Sequence, residues 1–161
     1  MTFYFDLTRY KYGPVPEEFT RERANGVVPQ ALAVGWLSPL IWFPRARPSP
    51  EFLDKLFWLC TKQHRPHWRH WMGYHICLIG LCPFRLSVWG VLERHGGTVA
   101  RLGDREIFVP GKRSDLYVAP NMIYHYVARH KYRPPAKFID AVLSYEDPPW
   151  ESVTPPELET S

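Results

Sequence analysis

Residues 106–130, EIFVPGKRSDLYVAPNMIYHYVARH, carry the pattern that decides the fold. Apolar residues alternate along the first half of this stretch, on either side of a turn at Pro110-Gly111; they are Ile107, Val109, Leu116 and Val118. Such alternation predicts two short antiparallel strands. In the second half the apolar residues recur at helical spacing, which predicts a helix from about Met122 to Arg129 with Pro120-Asn121 as its cap.

The strand pattern continues upstream of this stretch. It begins near Arg85 and is interrupted by turns at Gly96-Gly97 and Gly103-Asp104, so we predict three or four short antiparallel strands over residues 85–118. Still further upstream, residues 31–37, ALAVGWL, form a short apolar run between prolines. A run of this kind indicates a buried strand or extended segment.

Two more helices are predicted by capping residues and periodicity. Ser49 and Pro50 suit the start of a helix over residues 50–63, which has one apolar face formed by Leu53, Leu56, Phe57 and Cys60. Pro134-Pro135 starts a second C-terminal helix that continues to Leu143. We therefore predict an α+β fold in which a small antiparallel sheet from residues 85–118 packs against about three helices.

Length and charge indicate one domain with an acidic partner. The 161 residues are 45% hydrophobic, enough for one core, and we place a single globular domain at residues 1–145 and a Pro- and acid-rich tail at residues 146–161. The formal net charge is +4, but five of the 16 acids lie in the tail and no Lys or Arg does, so residues 1–145 carry 20 − 11 = +9. A domain with this net positive charge favours binding to an acidic protein surface, a nucleic acid or phosphate.

The N-terminal sequence and the cysteines indicate a cytoplasmic protein. No basic region followed by an apolar run starts the chain, and the longest apolar region, residues 27–43, is broken by two prolines, so we expect neither a signal peptide nor a membrane span. Three cysteines, two of them close in sequence, suit a reducing compartment and metal ligation better than disulfides.

Two pairs of residues have the spacing of metal ligands. Four residues separate Cys77 from Cys82, and four separate His125 from His130, within the range usual for zinc sites. Side chains five residues apart diverge by about 140° around a regular helix, so sharing one ion would require the helix to unwind near His130. His75 is the alternative ligand in place of His130. The competing interpretation is that the cysteines are small buried residues and the histidines pack beside tyrosines.

Several of these elements together resemble a family of small, uncharacterised bacterial proteins. The resemblance rests on VGWL at residues 34–37, GYHIC at 73–77 with Cys82, EIFVPG at 106–111, YVAPNMIYHY at 117–126, and HKYRPP at 130–135. Members of that family show a Gly-x-His-x-Cys-x-x-Cys element, whereas the cysteines here are spaced Cys-x4-Cys. The resemblance implies the fold of that family but no activity.

Residues 62–71, KQHRPHWRHW, interleave basic and aromatic side chains. The pattern is typical of protein interfaces rich in Trp and Arg, and also of surfaces that stack nucleobases. The alternative is a solvated loop whose tryptophans anchor in the core. We take the candidate partner-binding residues to be Lys62, Arg65, Trp68, Arg69 and Trp71.

The sequence contains no recognisable catalytic set, since no His-Glu-x-x-His motif, nucleophile elbow or phosphate loop is present. Our first hypothesis is therefore a non-enzymatic binding protein, of the immunity or antitoxin type, that has a structural zinc site and a protein partner. A nucleic-acid-binding zinc protein is the second hypothesis. A zinc-dependent hydrolase, in which the metal keeps an open position, is the third.

Overall fold

A computed structural model describes residues 3–16, 19, 29–62, 74–84 and 89–146. Within these ranges the chain forms five strands and three helices, which confirms the α+β class. In chain order they are β1 (Gln30–Ala33), α1 (Pro50–Lys62), β2 (Val91–His95), β3 (Thr98–Leu102), β4 (Glu106–Pro110), β5 (Asp115–Pro120), α2 (Ile123–His130) and α3 (Ala136–Leu143).

The strands form two sheets, so the prediction of one antiparallel sheet over residues 85–118 is wrong. Strands β2 and β3 pair antiparallel as a separate hairpin. Strands β4 and β5 pair antiparallel as expected, but β5 also pairs in parallel with β1, which lies outside the predicted range. Alternation specifies which residues form strands and leaves their partners open. Residues 85–88, where another strand was predicted, lie outside the described residues.

The three-stranded sheet is covered on both faces. Tyr117 and Ala119 of β5 belong to the main core, which the helices complete, whereas Leu116 and Val118 belong to a second cluster. That second cluster contains aromatic residues of the N-terminal segment and of the run after β1, among them Tyr10 and Trp36. Burial on both faces explains why β5 is apolar at nearly every position.

Helix α1 has the predicted start and the predicted apolar face. The Ser49 hydroxyl accepts a hydrogen bond from the Phe52 amide at 3.2 Å, which is an N-cap. Leu56 and Cys60 of the predicted face are fully buried, and Phe52 and Leu59 extend it. None of the helices among the described residues is long and apolar enough to cross a membrane.

The start of α2 differs from the prediction that Asn121 caps it. The N-cap residue is Met122, and it makes no side-chain capping bond. The Asn121 side chain is fully buried instead, where it accepts from the Gly103 amide at 2.8 Å and donates to Asp104 at 2.9 Å. An Asn side chain can cap a helix or join two segments by hydrogen bonds. Here it joins the start of α2 to the turn between β3 and β4.

Deleting residues 147–161 is expected to leave the melting temperature within about 2 °C of that of the full chain. These residues lie outside the described ranges, and their prolines and acids offer little apolar surface. The truncated chain retains Tyr145, which is 5% exposed and whose ring centroid lies 6.2 Å from that of Trp58, so this packing is kept. Thermal unfolding of both chains measures the difference. A markedly lower melting temperature would mean that Trp150 packs against the domain and that the boundary at residue 145 is wrong.

Candidate metal centre

The structure brings together the four residues that the spacing singled out. One ligand atom from each of Cys77, Cys82, His125 and His130 lies within 4.8 Å of the others. The Cys77 Sγ is 3.2 Å from His130 Nε2, the Cys82 Sγ is 3.4 Å from His125 Nε2, and the two Nε2 atoms are 3.2 Å apart. Two thiols and two imidazoles that converge on one point could bind a metal ion.

The cysteines lie on a short connection that the β3–β4 turn holds in place. The His75 amide donates to the Gly103 carbonyl at 2.7 Å, which fixes the chain two residues before Cys77. Gly103 has φ +112°, and a Cβ there would lie 2.8 Å from the His75 carbonyl oxygen, so this contact requires glycine. The chain then turns at residues 79–81, where the Cys82 amide donates to the Ile79 carbonyl.

The histidines lie near opposite ends of α2. His125 is fully buried in the first half of the helix, and His130 is its last residue. The helix continues to His130 without unwinding, so the unwinding that the spacing required for a shared ion does not occur. Lys131 is the C-cap; it has a left-handed conformation, and its amide donates to the Tyr126 carbonyl. The imidazoles are long enough to meet across the turn, with their ring centroids 5.0 Å apart.

Glu93 orients the buried side chain of His125, one of the four candidate ligands. Its carboxylate, on β2, is 2% exposed and lies 2.7 Å from His125 Nδ1. A carboxylate in this position assigns the proton to Nδ1 and leaves the Nε2 lone pair directed at the cluster. The Arg129 guanidinium donates to both Glu93 oxygens at 2.9–3.1 Å. Burial by itself raises the pKa of Glu93, but these hydrogen bonds and the Arg129 charge hold it below its ordinary value.

The protonation states of the ligands also suit a cation. Burial, together with the nearby His125 and Arg45, lowers the pKa of His130 to about 4, so its imidazole is neutral at pH 7 and has a free lone pair. Burial raises the pKa of the Cys77 thiol to about 12, and the adjacent Cys82 adds to the rise. Without a cation this thiol stays protonated, and a bound metal would displace its proton.

The alternative ligand His75 is not part of the cluster. Its Nε2 is buried without a hydrogen-bond partner among the described residues, and the ring lines a small cavity with Gly35, Met122 and Tyr126. The histidines do pack beside a tyrosine, as the competing interpretation held, since Tyr126 lies 5.9 Å from His125 and 6.5 Å from His130 between ring centroids. Tyrosine packing and the thiol contacts therefore occur together.

The predicted partner-binding segment lies almost entirely outside the described residues. Lys62 is the last residue of α1, and its side chain is not described. Arg65, Trp68, Arg69 and Trp71 lie within residues 63–73, outside the described ranges. Their role in binding stays a prediction.

A cleft of about 810 Å³ opens beside the cluster. Cys82, His125 and His130 form part of its wall, and residues 39–45 and 79–84 flank it. The first of these loops is anchored next to the end of α2, because the Ala46 amide donates to the Lys131 carbonyl and the Arg133 amide donates to the Pro44 carbonyl, both at 2.9 Å. The same residues thus belong to the cluster and to a surface concavity.

Sequence reasoning missed Glu93 and Arg129. Along β2, Val91 and Glu93 are buried while Leu92 and Arg94 are exposed. Because Val91 and Leu92 put an apolar residue on each face of the strand, alternation does not show which face is buried. The sequence therefore contains no signal that Glu93 points inward.

Comparison with known proteins identifies a family and no function. No curated protein sequence and no solved structure matches the chain. A family model described as Domain of unknown function (DUF7919) matches residues 2–143. This match agrees with the resemblance to an uncharacterised family. The matched range includes both sheets, the three helices and all four residues of the cluster. The chain belongs to the DUF7919 family.

Proposed function

We propose that this protein is a non-enzymatic binding protein that contains a structural zinc ion. The observation that carries the proposal is the closed set of four protein ligands, Cys77, Cys82, His125 and His130. Structural zinc sites are tetrahedral with four Cys or His ligands, whereas catalytic sites keep one position for water. A carboxylate that orients one ligand, as Glu93 orients His125, is the usual support of such a site.

The spacing of the donor atoms fits tetrahedral zinc. With zinc–sulfur bonds of about 2.3 Å and zinc–nitrogen bonds of about 2.05 Å, a tetrahedron separates sulfur from nitrogen by about 3.6 Å and the two nitrogens by about 3.4 Å. The corresponding distances here are 3.2 and 3.4 Å, and 3.2 Å. These are three of the six donor pairs, and all six lie within 4.8 Å. Modest shifts of the side chains would therefore bring the four donors to tetrahedral distances. Mixed thiolate and imidazole donors favour zinc over calcium or magnesium, which prefer oxygen.

The finer proposal is a bacterial inhibitor of the immunity or antitoxin type, which acts by binding a protein. Three features support it: the net positive charge of residues 1–145, the absence of a recognisable catalytic motif from the sequence, and the cleft beside the cluster. One observation favours the hydrolase instead: three of the four ligands line the cleft, and His130 is only half-buried. If His130 left the metal, water could take its place. The nucleic-acid alternative depends on residues 62–71.

Metal analysis of the purified protein is expected to find about one zinc per chain. X-ray absorption at the zinc edge should then show two sulfur and two nitrogen neighbours in a four-coordinate site, because the protein supplies all four ligands. The matched control is His130→Ala, in which the outer-shell scattering of one imidazole should disappear. Folded protein that was never exposed to chelator and contains no zinc would contradict the metal proposal. A wild-type spectrum with the outer-shell scattering of only one imidazole would favour the hydrolase.

A further inference from the structure

The cleft beside the metal centre has an apolar rim that is exposed to solvent. Leu40 and Trp42 on one flanking loop are 92% and 84% exposed, and Leu81 on the other is 94% exposed. Scattered apolar residues are common on protein surfaces, but three large ones around a single concavity mark an interaction site. Their exposure means that an occupant which covers them gains hydrophobic free energy.

The charge of the cleft is positive. Its described lining contains Arg45 and Arg129 and no carboxylate. The Arg45 guanidinium lies 4.9 Å from the centroid of the Phe43 ring, which holds it at the cleft. The Arg129 side chain remains 54% exposed although it pairs with the buried Glu93. An occupant that carries a carboxylate next to an apolar side chain would match both the charge and the rim.

The cleft is also held in shape before anything binds. The backbone bonds of residues 44–46 to residues 131–133 fix one flank, and Phe43 packs edge-on against the buried Tyr132 at 5.9 Å between centroids. Cys82 lies on the other flank, so a metal bound by the cluster would join that flank to α2. A preformed cleft loses less conformational entropy when it binds, which favours recognition of a short segment.

We infer that this cleft binds an extended segment of a protein partner in which an aromatic or large aliphatic residue lies next to an acidic one. The apolar side chain enters the cleft between Trp42 and Leu81, and the carboxylate pairs with Arg45. The inference rests on the proposed binding function and names its surface. Trp and Arg are the residues that most often dominate binding energy at protein interfaces, and Trp42 and Arg45 occur together here.

A random 12-residue peptide library displayed on phage, selected against the full-length protein as purified, tests the inference. We expect the enriched peptides to combine Asp or Glu with an aromatic or large aliphatic residue. Trp42→Ala and Arg45→Glu should each weaken binding of the enriched peptides by about tenfold or more. The matched controls are Trp89→Ala and Arg47→Glu, which change exposed residues outside the cleft lining and should leave binding unchanged. All four variants should retain the wild-type melting temperature and metal content.

Four results would overturn the inference. The first is a selection that enriches no peptide, and the second is enrichment of basic peptides. The third is that the enriched peptides bind Trp42→Ala and Arg45→Glu as tightly as wild type. The fourth is dimerisation of the wild type that Trp42→Ala abolishes, which would make a second copy of the chain the occupant. A fifth such result would come from sedimentation with phosphatidylglycerol vesicles. Vesicle binding by the wild type that is lost in Trp42→Ala would mean that the rim inserts into a lipid surface.

The two experiments separate this inference from the proposed function. A zinc site with a solvent ligand, together with peptides that behave as expected, would refute the structural role of the metal and leave the peptide cleft in place. Closed zinc coordination together with a failed selection would refute only the cleft.

Discussion

Cys82→Ser is expected to abolish zinc binding and to leave the protein unfolded or insoluble. Apparent zinc-binding free energies in small zinc-dependent folds are about 10–16 kcal/mol, and a domain of this size is stable by only about 5–15 kcal/mol in total. Loss of one of the two thiolate ligands removes a large part of the zinc-binding free energy. Soluble yield, metal content and thermal unfolding measure the effect.

Cys60→Ala is the matched control for this experiment. Cys60 is also buried, at 1% exposure, but it lies on α1 outside the cluster. Its replacement should cost about 1 kcal/mol for the lost sulfur and leave zinc content unchanged. If Cys82→Ser cannot be purified, titration of the wild-type protein with EDTA should lower its melting temperature strongly. A Cys82→Ser protein that melts like wild type, or no change with EDTA, would mean that the cysteines are only buried side chains.

Glu93→Ala is expected to weaken zinc binding by about 10–100-fold and to lower the free energy of unfolding of the zinc-loaded protein by about 2–3 kcal/mol. The substitution removes the acceptor that orients His125 and leaves the buried Nδ1–H without a partner. The Arg129 side chain is half-exposed and can be hydrated when Glu93 is absent. The loss of its partner therefore lowers the free energy of unfolding by less. Competition with a coloured zinc chelator measures the affinity.

Two further variants separate the orientation of His125 from general stability. Glu93→Gln keeps the size and one acceptor oxygen, so it should restore part of the affinity lost in Glu93→Ala. Glu106→Gln changes another partly buried acid, one that accepts a hydrogen bond from Tyr10 of the second core cluster at 2.6 Å, and should lower stability without changing zinc affinity. Equal zinc affinities in Glu93→Ala and wild type would show that Glu93 has no role at the metal.

The local sequence determined most of the helices and the choice of ligands. Ser49-Pro50 and Pro134-Pro135 act on the residues that directly follow them, so α1 and α3 begin where the sequence indicates. The four candidate ligands could be predicted as two pairs because short spacing keeps the members of each pair together whatever the rest of the chain does. Both kinds of signal depend on neighbours in sequence.

Only the tertiary structure decided how these parts meet. Strand β1 pairs with β5 across more than 80 residues, and no local pattern specifies that partner. Asn121 joins the β3–β4 turn rather than capping α2, because that turn approaches it in the fold. Glu93 supports His125, and the flanks of the cleft enclose a cavity, for the same reason. Contacts between residues far apart in sequence depend on the packing of the whole core, which alternation and spacing do not encode.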